Sequence, residues 1–169
     1  IKENIIDSKT KYINSEFPLL RKSIYDSKPI KYNIVIIIME SFFNHNIGVF
    51  GNHKNLTPNF DKLSKQGMLF SRFFSSGTRT NNALSSILLS FPALPRYKSI
   101  LNDHQIEQPF SSLANLLKKR NYQTSFLYAG DINDDNIYTF FSTQGYDNIL
   151  GENHFPDSVF STPYGVADE

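Results

Sequence analysis

The chain has 169 residues, long enough for one domain with a buried core, and carries 17 basic against 16 acidic residues, a formal net charge of +1. With the two signs interspersed, that balance excludes the concentrated basic face of a nucleic-acid-binding domain. Cysteine is absent, so disulfides and thiolate metal centres are excluded and any metal must be held by oxygen or imidazole.

In chain order, residues 1–30 are polar, rich in Lys, Ser and Asn, and interrupted by Pro18 and Pro29. They read as a linker with one short helix around residues 19–25. Ile1 is not a Met, which sets the expectation of an upstream segment in which a membrane region is allowed. No signal peptide is visible. Residues 33–39 (NIVIIIM) form a β-branched run without alternation, as in a strand covered on both faces. The run is far short of the roughly 20 apolar residues a membrane span takes.

Residues 56–67 (LTPNFDKLSKQG) carry helix punctuation: Thr57 as N-cap, Pro58 at the first helical position, Asp61 near the first turn and Gly67 as stop. The aromatic run 68–74 (MLFSRFF) predicts a strand, Gly77 a tight turn, and residues 80–91 a helix striped by Ala83, Leu84, Ile87 and Leu88. Pro92 ends that helix and Pro95 prevents a restart. A helix over 111–120, a strand over 123–129, a helix over 135–144 stopped at Gly145 and a short strand over 147–150 follow. Residues 158–169 read as irregular. Strands alternating with helices predict an α/β fold with a parallel or mostly parallel sheet flanked by helices on both faces.

Two positions carry chemistry. Glu40 directly follows the buried run, at the carboxyl end of the first predicted strand, where open parallel sheets bind ligands. Thr80 also follows a strand and lies where a helix start offers N–H groups and a positive dipole end to an oxyanion. Taken alone, Thr80 reads more simply as an N-cap and Glu40 as a strand-end carboxylate. Together, one carboxylate and one hydroxyl make half of a site for Mn2+, Mg2+ or Zn2+, and a cation there favours the alkoxide near neutral pH.

Residues 33–42 (NIVIIIMESF), 56–70 and 73–95 (FFSSGTRTNNALSSILLSFPALP) resemble the lipoteichoic acid synthase and phosphoglycerol transferase family of the alkaline phosphatase/sulfatase superfamily. The segments 128–131 (YAGD), 145–147 (GYD) and 164–169 (YGVADE) continue the resemblance in order, so that it covers nearly all of 34–169. It implies an alkaline phosphatase-like fold, here truncated. Residues 1–30 would be a linker from an upstream membrane region, and 31–169 the N-terminal portion of a sulfatase-like catalytic domain. It further implies that Glu40 is a metal carboxylate and that Thr80 is both metal ligand and nucleophile, carrying a phosphoglycerol group that passes to an acceptor hydroxyl. Mn2+ is the favoured metal, with Zn2+ or Mg2+ admissible. The implied partners are a phospholipid-derived phosphodiester donor, a glycan or polymer acceptor, and the membrane through the missing N-terminal region. The implied location is the cell membrane with the catalytic domain outside the cytoplasm.

Departures from the family bound this reading. Its Asp-His ligand pair has no match, since Asp103-His104 comes too early and reads as a surface loop. His45, His53 and His154 read as solvated loop residues. Arg79 either steadies a phosphate or forms a surface ion pair. Asp131 and Asn136 either contact the substrate or belong to an Asx-rich turn and helix cap, in a loop more acidic than a phosphate neighbour should be. A phosphoethanolamine transferase, a phosphodiesterase or a non-catalytic module of the same fold are the alternatives. An arylsulfatase is disfavoured, because the Cys/Ser-x-Pro-x-Arg motif is absent. With half the ligands missing, the isolated chain is expected to be catalytically incompetent. A phosphodiesterase assay on the purified chain checks this, and measurable turnover would overturn it.

Overall fold

Two short parallel strands, β1 (Ser125–Leu127) and β2 (Asn148–Leu150), pair in the register Ser125–Asn148, Phe126–Ile149 and Leu127–Leu150. Parallel neighbours need a crossover, and here it holds helix α4 (Ile137–Thr143). The computed structural model describes residues 30–94, 101, 109–156, 159–162 and 165–167. The linker and its short helix, Pro95, Asp103-His104 and the end of the 164–169 motif lie outside the described residues.

The periodicity that predicted α4 is the one that packs it. Ile137, Phe140 and Phe141 are buried, and the Phe141 ring stacks on Phe126 of β1 at 3.4 Å between centroids. Tyr146 closes the cluster edge-on to Phe141, 4.9 Å away. Gly145, at φ 83, ends the helix as its position predicted. Helix α3 (Leu113–Lys118) starts at Ser112, whose hydroxyl caps the Asn115 N–H at 3.0 Å and donates to the Gln144 carbonyl at 3.0 Å. One carboxylate joins the ends of these elements. Asp147 accepts from Lys118 Nζ at 2.7 Å and from the N–H and hydroxyl of Thr124 at 2.8 and 2.9 Å. It thereby ties the last turn of α3 to the entries of β1 and β2.

Two further helices precede this unit: α1 (Pro58–Ser64), with Pro58 at its first position, and α2 (Thr80–Leu89), which buries Leu84, Ser85 and Leu88 and lies against α3. At the other end, residues 158–169, expected to be irregular, contain a small antiparallel pair, β3 (Ser161–Thr162) with β4 (Gly165–Val166). It docks through a Val166 N–H bond to the Ala129 carbonyl at 2.7 Å. Gly165 permits the approach: its φ is 116, and a Cβ there would lie 2.2 Å from the Ala129 carbonyl oxygen.

Two predicted strands are not formed among the described residues. The chain divides into two compact units, Ile1–Met39 and Glu40–Glu169. In the first, residues 30–39 have no regular structure, and Val35 is 83% exposed. In the second, residues 68–74 form no ladder, and Phe73 and Phe74 are exposed. β-branched and aromatic runs favour strands only when cross-strand neighbours and cover are present, and neither run has a ladder partner here.

The Asp147 carboxyl is held at about 2 by its hydrogen bonds, from Lys118 first and then from Thr124, against an ordinary 3.8. A depressed folded value means that its contribution is complete above pH 3.8 and is lost as pH falls through about 2. Asp147→Asn is expected to lower the melting temperature at neutral pH and to flatten the acid-side decline in a melting series. An unchanged acid limb would contradict this. Gly165→Ala is expected to cost more than about 1 kcal/mol in denaturant unfolding; a neutral result would show that the terminal pair does not depend on this close approach.

Candidate functional site

Helix α2 begins one residue earlier than a Thr80 cap would require. Arg79 occupies the N-cap with extended backbone (φ −118, ψ 150) and no side-chain cap bond, and Thr80 is the first helical residue. The Thr80 hydroxyl is therefore not spent on capping. It donates to Glu40 Oε1, across 40 residues of sequence. Thr80 is half-buried and Glu40 exposed, so the pair opens to solvent on the carboxylate side.

Each partner is delivered by a turn. Before Thr80, Ser75 and Gly77 exchange hydrogen bonds, with the Gly77 N–H donating to the Ser75 hydroxyl at 3.2 Å. Gly77 needs its lack of a side chain because a Cβ would lie 2.7 Å from Asn82. After Glu40, Ser41 adopts a left-handed conformation (φ 54), and the Phe43 N–H bonds back to its carbonyl at 3.0 Å. A helix start at Thr80 adds the positive end of the dipole, a setting that suits a phosphoryl oxygen.

A third connection lies within electrostatic reach of Glu40. Tyr128 directly follows β1 and donates its N–H to the Leu150 carbonyl at 2.9 Å. Burial first, and then the negative charges of Glu40, Asp135 and Asp134, push its phenol above the ordinary value. The Glu40 carboxylate, Tyr128 and the acidic β1–α4 crossover thus lie within electrostatic reach of one another. Tyr128 was not singled out from sequence as a site residue; its only signal was membership of the segment 128–131.

The other expected contacts are engaged locally. Asp131 Oδ1 accepts from the N–H and the side-chain amide of Asn133, both at 2.8 Å, which is an Asx turn. Asn136 is left-handed (φ 59) and donates to the Leu101 carbonyl at 3.1 Å. Arg79 is exposed and has no ion pair among the described residues. His45 is exposed and stacks on Phe43, His53 is exposed, and His154 accepts the Gly151 N–H at 3.1 Å. Among the described residues no group of three or more His, Asp or Glu is placed to hold a metal. Glu40 and Thr80 supply two convergent oxygens, a donor type that fits a hard divalent cation but leaves the set incomplete.

Residues 32–169 match the sulfatase family. Among curated proteins, N-acetylgalactosamine-6-sulfatase of Rattus norvegicus is 32% identical over 56 residues, which are 33% of this chain and 11% of that protein. A solved protein of the alkaline phosphatase superfamily from Vibrio parahaemolyticus superposes with a TM-score of 0.68 at 32% identity, over 74% of this chain and 30% of its own. The lipoteichoic acid synthase LtaP from Listeria monocytogenes superposes with a TM-score of 0.59 at 23% identity, over 66% and 27%. The fold is thus the alkaline phosphatase-like α/β class expected from the sequence, and the chain spans less than a third of the length of each of these relatives. With two donors only, the isolated chain is expected to bind Mn2+ with a dissociation constant on the order of 10⁻³ M or weaker. A Mn2+ titration followed by electron paramagnetic resonance measures this, and tight stoichiometric binding would refute the two-donor count.

Proposed function

The chain belongs to the sulfatase family, and from that premise we propose that it is part of a metal-dependent phosphoglycerol transferase that works through a covalent intermediate on Thr80. Enzymes of this superfamily act on sulfate or phosphate esters and generally use divalent metals. The observation that carries the finer reading is the Thr80 hydroxyl donating to Glu40 at the start of α2. A carboxylate that accepts this bond draws the proton off Oγ1 and raises its nucleophilicity. Oγ1 attacks the donor's phosphorus in line, a P–O bond to Thr80 forms, and the bond to the diacylglycerol oxygen breaks, that oxygen taking up a proton. An acceptor hydroxyl of a glycan or polymer then attacks the same phosphorus, loses its proton, and releases Thr80 with its hydroxyl restored.

A divalent cation held in part by Glu40 and Thr80, with Mn2+ favoured and Zn2+ or Mg2+ admissible, supplies Lewis acidity when bound. Arg79 beside Thr80 offers a guanidinium for the phosphate, and Asp131 and Asn136 border the donor head group from the crossover. The proposed donor is a phospholipid-derived phosphodiester, and the proposed location, as the family resemblance implies, is the outer side of the cytoplasmic membrane. No helix among the described residues is long and apolar enough to cross a membrane.

One observation favours a second reading. The crossover carries three carboxylates, Asp131, Asp134 and Asp135. Such a field suits a cationic head group, as in a phosphoethanolamine donor. Mass spectrometry of the full-length protein incubated with phosphatidylglycerol or with phosphatidylethanolamine tests both. A glycerophosphate adduct on Thr80, abolished by Thr80→Ala, is expected. An ethanolamine phosphate adduct selects the second reading, and no adduct from either lipid overturns the covalent mechanism.

A further inference from the structure

The Glu40–Thr80 pair raises the question of what holds Glu40 in place, since it lies in an exposed turn. The chain after it runs through successive short turns: the Asn46 N–H bonds to the Phe43 carbonyl at 2.9 Å, Ile47 to Asn44 at 3.1 Å, Phe50 to Ile47 at 3.2 Å and Gly51 to Gly48 at 2.9 Å. Only Ile47 of this segment is buried. Its far end is clasped by the first turn of α1. The Gly48 N–H donates to Thr57 Oγ1 at 2.9 Å, the Val49 N–H donates to Asp61 Oδ1 at 2.8 Å, and the Thr57 hydroxyl donates to the Asp61 carboxylate at 3.3 Å. Gly48 abuts that carboxylate so closely that a Cβ would lie 2.1 Å from Oδ2. Its near end is held by Phe42, whose ring meets Phe60 of α1 edge-on at 5.2 Å.

Thr57 and Asp61 therefore do something other than punctuate a helix. Thr57 sits at the N-cap but makes no cap bond, and both side chains face the loop. We infer that Asp61 is a positioning residue: through its clasp on Gly48 and Val49 it fixes the loop that carries Glu40, and so sets the Glu40 carboxylate against the Thr80 hydroxyl. Asp61 touches neither Thr80 nor Glu40 and acts only through the intervening turns. The Asp61 bonds are charge-assisted and anchored on a helix, so losing them frees the loop without removing a group from the site. The inference rests on treating Glu40 and Thr80 as one site.

The absence of cysteine makes a proximity test direct. Glu40→Cys with Thr80→Cys places the only two thiols in the chain, and a short bifunctional thiol reagent reports how often they meet. The substitutions remove the Thr80–Glu40 hydrogen bond, and with both thiols kept reduced until the reagent is added the rate reads the scaffold alone and requires no turnover. Failure of the transferase reading would leave the result untouched. Adding Asp61→Ala is expected to slow cross-linking about fivefold or more. Asp61→Asn, which keeps an acceptor oxygen for the Val49 N–H, should restore most of the rate. Gly48→Ala, which displaces the carboxylate, should slow it as Asp61→Ala does. Asp147→Asn removes an equally connected carboxylate outside the clasp and should leave the rate unchanged at a temperature where every variant is folded. The inference is overturned if Asp61→Ala and Gly48→Ala cross-link at the parent rate. It is overturned equally if Asp147→Asn slows cross-linking as much as they do, because a general loss of stability would then account for everything.

Discussion

A hydrogen bond between a hydroxyl and a carboxylate contributes about 1.5–3 kcal/mol net, while ordering the backbone of a single residue costs about 1–2 kcal/mol. The bond from Thr80 to Glu40 therefore cannot by itself hold together two turns separated by 40 residues. Both groups are within reach of water, which offers each an alternative partner. Their meeting has to be imposed by whatever fixes the two turns, and each side of the pair has such a support. Thr80 is carried by α2, anchored through Leu84 and Leu88. Glu40 is carried by a chain of turns pinned at one end by Phe60 and at the other by Thr57 and Asp61.

The third side of the site depends on a different kind of anchoring. The β1–α4 crossover brings Tyr128, Asp134 and Asp135 toward Glu40 because β1 and α4 share an aromatic core of Phe126, Phe140, Phe141 and Tyr146. Asp147 ties the entry of β1 to the last turn of α3. The result is a group of carboxylates, Glu40, Asp134 and Asp135, within electrostatic reach of Tyr128. Under the proposed function, a phosphodiester approaching these carboxylates would meet like charge unless a cation intervened or its head group were itself cationic.

What could be read from the sequence follows the range of the interactions concerned. Helices α3 and α4, strands β1 and β2 and the stop at Gly145 were legible because cap residues, apolar spacing and a φ that favours glycine are local signals. The pairing of Glu40 with Thr80 was inferred from two strand ends, yet in the structure it is made by turns at 40–41 and 75–77 instead. Residues 33–39 and 68–74 have the composition of strands but no ladder among the described residues, since a strand exists only with a neighbour that composition does not specify. Thr57 and Asp61 were legible as a helix start and illegible as a clasp, because their partners at Gly48 and Val49 offer only backbone N–H groups, which leave no mark on side-chain identity. Tyr128 was hidden for a similar reason: its place in the site is a matter of field, not of motif.

The central claim is that the oxygens of Glu40 and Thr80 converge on one cation. Diffraction from crystals of the full-length protein soaked in Mn2+, recorded at a wavelength where manganese scatters anomalously, tests it most directly. A single strong anomalous peak within bonding distance of both Thr80 Oγ1 and a Glu40 carboxylate oxygen is the predicted result. A peak bound elsewhere, with the two side chains turned away from each other, would contradict the account.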